Sequence, residues 1–97
     1  MKKPIIEWSD RAKADLKEIY SHLLKTNSAT TAQKIINEIA TAPKAITFPT
    51  QYQFDDYIKD CRRIIIRNCK ILYLEQQGLV SVVGVFDSRN NPLKMIF

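Results

Sequence analysis

The sequence has few of the residues that most often carry chemistry or anchor a chain. It contains two cysteines, Cys61 and Cys69, and one histidine, His22. A zinc site needs more ligands than these, and the histidine is far away in sequence. The cysteines are therefore expected to be free thiols in a reducing compartment. No apolar run approaches the roughly 20 residues that cross a bilayer as a helix. The basic start Met1-Lys2-Lys3 meets Glu7 too early for a secretory leader, so a cytoplasmic location is expected. There is no repeat and no low-complexity tract, and no cofactor or metal is expected.

What is present is an ordinary globular composition, 45% hydrophobic and 26% charged, in 97 residues. That length predicts a single domain over 1–97, burying only about 60–65% of its unfolded surface, so stability is modest and a partner can matter to it. The net charge is +5, and its distribution says more than its size. Residues 59–70 hold Lys59, Arg62, Arg63, Arg67 and Lys70 against Asp60 alone, a local excess of +4. Such density attracts phosphates or an acidic protein.

Pro4–Trp8 reads as a short strand. Ser9 then offers an N-cap hydroxyl and Asp10 a negative charge in the first helical turn. Ala12, Leu16, Ile19, Tyr20, Leu23 and Leu24 follow one helical face, ending near Lys25-Thr26-Asn27. Asn27 or Ser28 caps a second helix with Ala32, Ile35, Ile36 and Ile39 on its apolar face. The short link predicts an antiparallel helical hairpin, and Pro43 should kink or end its second arm. Thereafter the pattern is strand-like. Gln51–Tyr57 is a weak strand because of Asp55-Asp56. Arg62–Arg67 and Lys70–Glu75 are clear ones around a turn at Asn68-Cys69, and Gln77-Gly78 turns the chain into Leu79–Phe86. The expectation is an α+β fold, with an N-terminal strand and a helical hairpin packed on an antiparallel sheet.

The turn at 68–69 would place Arg67 opposite Lys70, Ile65 opposite Leu72 and Arg63 opposite Leu74. Arg62 would meet Glu75 in a cross-strand ion pair. Arg63, Arg67 and Lys70 would then share a face with no local carboxylate, which makes them candidates for binding an anion or nucleic acid. Asp87-Ser88-Arg89-Asn90-Asn91-Pro92 follows the last strand, where a rigid element can aim polar groups at a ligand. Arg89 joins the candidates, since a turn has no need of a guanidinium.

In order and spacing, several segments together resemble the RelE/ParE superfamily of type II toxin–antitoxin toxins. They are Trp8-Ser9-Asp10-Arg11-Ala12 with Asp15-Leu16 and Ile19-Tyr20, Phe48-Pro49, Arg62-Arg63, Lys70-Ile71-Leu72-Tyr73, and Val82 through Arg89. The resemblance covers nearly the whole chain. It implies a growth-inhibiting toxin neutralised by a cognate antitoxin that wraps it. The target it implies is either DNA gyrase, as in ParE-like members, or translated mRNA on the ribosome, as in the metal-free RelE-like endoribonucleases. Cleavage would need a base, an acid and cations for the phosphorane. Arg63, Arg67 and Arg89 would be the cations. Asp87 stands where many members have a histidine, and its pKa, lowered by Arg89, would make it a poor base. His22 reads as a solvated residue on the polar face of the first helix; Tyr73, Trp8 and Tyr20 read as core. Two helices of about four turns or more each resemble the longer hairpin of ParE-like members. The leading reading is thus a toxin that acts by binding. An endoribonuclease, or a degenerate member that binds only its antitoxin, are the alternatives.

Overall fold

A computed structural model describes residues 4–48 and 51–87. Strand β1 (Ile5–Trp8) leads into helix α1 (Asp10–Thr26) and helix α2 (Ala29–Thr41). Strands β2 (Arg62–Ile66), β3 (Cys69–Gln76) and β4 (Leu79–Asp87) follow. The sheet order is β1-β4-β3-β2. β2, β3 and β4 are antiparallel, as the sequence predicts, whereas β1 joins β4 in parallel, with Ile5 opposite Leu79 and Trp8 opposite Val82. No helix among the described residues is long and apolar enough to cross a membrane.

The helix boundaries follow from capping chemistry. The Ser9 hydroxyl accepts the Ala12 N–H at 3.0 Å, satisfying one of the orphan donors of the first turn. Asp10 and Lys25 complement the helix dipole at its two ends. Asn27 closes α1 by donating both its backbone N–H and its side-chain amide to the Leu23 carbonyl. One residue later, Ser28 accepts the Thr31 N–H and opens α2. Asn27 and Ser28 are both extended, so the chain reverses in two residues and the helices pack as a hairpin. The second arm is 13 residues long, shorter than the first, and Pro43 turns its end into a 3-10 turn, Ala42–Ala45.

The hairpin lies on one face of the sheet. Ala12 and Ile39 from the helices meet Ile64, Ile71, Tyr73, Val80, Val82 and Val85 from the strands, all buried. Each of the larger aliphatic side chains contributes about 1.5–3 kcal/mol by leaving water. Tyr73 is wholly buried, edge-on to Tyr52, as expected of a core residue. Leu24 departs from the expected helical face and is 43% exposed.

A bulge in β4 explains how α1 is held. Leu72 pairs with Gly84 but Tyr73 pairs with Val82, so Val83 has no partner on β3. Its carbonyl accepts the Ser9 hydroxyl at 3.3 Å. Beyond Trp8 the edge of β4 is no longer covered by β1, and there Asp15 Oδ2 accepts the Val85 N–H at 3.0 Å. Helix α1 thus continues the hydrogen bonding that β1 begins.

Two expectations need correction. The β2–β3 turn is Arg67-Asn68, one residue earlier than predicted, with Ile66 opposite Cys69 and Ile65 opposite Lys70. Cys69 is buried, so the core takes it as a strand residue, and Arg67 in the turn adopts a positive φ of 53°. The shift preserves which residues share a face but changes every cross-strand partner. Gln51–Tyr57 is not a strand beyond one bridge, Phe54 to Arg62. The Asp55 carboxylate accepts the N–H groups of Tyr57 and Ile58, both at 2.9 Å, and bends the chain out of extension.

Candidate functional site

The 51–61 segment folds back on the start of β2, through Arg63 N–H to the Gln53 carbonyl and Asp55 N–H to the Cys61 carbonyl. This delivers acidic side chains to the hairpin that the sequence treated as bare. Lys70 Nζ lies 3.0 Å from Asp55 Oδ1. Arg63 Nη1 is 3.1 Å from Asp56 Oδ2 and 3.6 Å from Asp55 Oδ1. Arg67 reaches Glu38 on α2 through Nε and Nη2. The expectation that Arg63, Arg67 and Lys70 lack a local carboxylate is therefore wrong, because their acids come from outside the hairpin, Asp55 and Asp56 from the preceding loop and Glu38 from α2.

Arg62 reverses the expectation in the other direction. It sits opposite Tyr73 rather than Glu75, and no carboxylate lies within 4 Å of it among the described residues. Its Nη1 donates to the Tyr52 carbonyl at 2.8 Å, and its guanidinium stacks 4.0 Å from the centroid of Phe54.

Asp55 organises this region. Burial opposes its ionisation, but the Ile58 and Tyr57 N–H groups and Lys70 outweigh burial and hold the carboxyl below its usual range. Cys61 beside it is a buried free thiol, pushed up by burial and by Asp55 and Asp60. Cys69 is likewise buried and free, as the sequence suggests. Among the described residues no three His, Cys, Asp or Glu side chains converge as metal ligands would.

On the other side of the hairpin, α1, α2 and the end of β4 enclose a groove of 810 Å³. Ile19, Leu23, Ile35, Ile39 and Val85 give it an apolar floor, and Arg11, Glu18, Arg67 and Asp87 a charged rim that also holds His22. Asp15 in its wall is pushed above the ordinary aspartate value, chiefly by burial. Asp87 is the last residue of β4, one residue beyond the strand end expected at Phe86, and Arg89 lies outside the described residues. His22 is exposed but shares this groove with Asp87 and Arg67, a grouping the sequence reading missed. Helical periodicity alone places His22 on the polar face; only the position of α2 and the Arg67 turn shows that this flank borders a cleft.

The family model for the ParE toxin of type II toxin–antitoxin system, parDE, matches residues 6–92. The chain belongs to the ParE toxin family. A solved structure, the chromosomal ParDE TA system from P. aeruginosa, is similar in fold, with a TM-score of 0.74 at 15% identity, covering 84% of this chain and 92% of that one. No curated protein matches the sequence significantly. The order of strand, helical hairpin and sheet is thus that of a fold shared with this structure.

Proposed function

We infer that this ParE-family toxin arrests growth by binding DNA gyrase rather than by cutting RNA, and that a cognate antitoxin neutralises it. The observation that carries this reading is the pairing of Arg63 with Asp56 and of Arg67 with Glu38. These partly exposed pairs are individually weak, so a phosphate would have to displace a weakly held carboxylate from cations that metal-free cleavage needs free and pre-aimed. Family membership over most of the chain supports a type II toxin, and the resemblance to ParE-like members is what brings gyrase forward as its target.

The antitoxin reading rests on the groove. An apolar floor with a charged rim suits an amphipathic segment, whose apolar face would cover Ile19, Leu23, Ile35 and Ile39. The net charge of +5 favours an acidic partner. A second reading, the ribosome-dependent endoribonuclease, draws on His22, Asp87 and Arg67 sharing this groove.

Expression of the chain alone, with gyrase cleavage complexes and mRNA ends mapped together, tests the choice. Gyrase binding gives trapped DNA breaks with intact mRNA. Codon-positioned mRNA cuts abolished by Arg89→Ala would instead make it an endoribonuclease, and normal growth would overturn both readings.

A further inference from the structure

Phe54 and Tyr57 stand out among the described side chains because large rings are left in solvent, 55% and 62% exposed. Exposure of this kind forgoes hydrophobic stabilisation, yet the loop that carries the rings is firmly held. Asp55, between them, has a side chain with no solvent exposure and binds two backbone N–H groups and Lys70. A buried carboxylate anchored this way keeps both rings pointing out of the fold instead of letting them collapse onto it.

The two rings differ in the cation beside them: Lys70, paired with Asp55, sits 4.9 Å from the Tyr57 centroid, whereas the cation beside Phe54 has no acid among the described residues. Arg62 stacks on Phe54, has no carboxylate within 4 Å among the described residues, and has a buried Nε with no hydrogen-bond partner. Lys59 is exposed and likewise makes no ion pair there. Of the acids in the loop, Asp55 and Asp56 are engaged by Lys70 and Arg63, which leaves Asp60 alone against two cations. Exposed aromatic faces next to unneutralised guanidinium and ammonium groups are the combination on which bases stack and phosphates settle.

We propose that Phe54, Tyr57, Arg62 and Lys59 form a binding site for single-stranded nucleic acid. Bases stack on the two rings, and Arg62 and Lys59 take the flanking phosphates. The site lies at the β2 edge and is built from none of the residues that line the groove of the helical hairpin. It does not require gyrase to be the target, so it is tested with gyrase and ribosomes absent.

The test is fluorescence anisotropy of a short labelled oligouridylate or oligothymidylate with the full-length chain, at low and raised salt. Binding should weaken with salt. Phe54→Ala and Tyr57→Ala should each lower affinity about fivefold or more without moving the unfolding temperature, because both rings are exposed. Arg62→Lys should also weaken binding, since an ammonium neither stacks nor forks. Three results would overturn the proposal: no binding at low salt, binding that both ring variants leave unchanged, or ring variants that lose the antitoxin complex while the wild-type chain ignores the oligonucleotide. The last would make the loop a protein-docking surface.

Discussion

Lys70 places its ammonium 3.0 Å from Oδ1 of Asp55, a carboxylate whose side chain has no solvent exposure. This contact fastens the 51–61 segment to the β2–β3 hairpin, and that segment brings carboxylates to Lys70 and Arg63 while Arg62 and Lys59 remain without one among the described residues. The distinction bears on function, because Lys70 and Arg63, already engaged, have less to offer a scissile phosphate.

Asp55→Asn should therefore destabilise the chain by about 2–4 kcal/mol, as Lys70 loses its counter-charge while the amide oxygen keeps some of the N–H contacts. Urea unfolding at neutral pH measures this. Because the folded carboxyl lies below its usual value, the stabilisation is complete above the unfolded-state pKa and is lost as pH falls through the folded one. The wild type should thus lose its advantage over Asp55→Asn only in strong acid.

Asp15 behaves with the opposite sign. Its folded pKa is raised, mainly by burial and despite the Val85 N–H and Arg11. Ionisation therefore costs stability at neutral pH, and that cost is relieved as pH falls through the folded value toward the ordinary one. Asp15→Asn, whose amide oxygen can still accept the Val85 N–H, should flatten the stability profile from the ordinary aspartate value of about 4 upward without loss at neutral pH. Asp15→Leu should cost about 1–3 kcal/mol by leaving that N–H unsatisfied. Unfolding curves across this pH range distinguish the three proteins.

Ser9→Ala should cost about 1 kcal/mol, since the hydroxyl both caps α1 and donates to the bulge carbonyl of Val83. Thermal unfolding of the free chain measures it.

The cap of α1 was legible in the sequence because capping is local: Ser9 and the first turn are adjacent. The same holds for Ser28, Pro43 and the strands around Gln77-Gly78. The candidate site was legible only in part. Which residues of the hairpin share a face follows from alternation and survived the one-residue shift of the turn. Which of them carry free charge did not follow, since Asp56, Asp55 and Glu38 reach Arg63, Lys70 and Arg67 through tertiary folding that no periodicity encodes. Asp55-Asp56 was visible as a flaw in a strand, and its role as an anchor depends on the backbone N–H groups that follow it.

Leu23→Arg should weaken binding of the cognate antitoxin by about tenfold or more, by placing a charge in the apolar floor of the groove. Titration with the product of the adjacent reading frame measures this, with circular dichroism verifying that the variant still folds. Unchanged affinity would move the antitoxin to another surface.

Gyrase binding, as proposed for this ParE-family chain, is checked by adding the purified chain to gyrase, ATP and supercoiled plasmid. The expected product is linear, protein-linked DNA that disappears when the antitoxin is added. Plasmid that stays uncut and fully supercoiled at every toxin concentration, from a chain that nevertheless halts growth in cells, would contradict it.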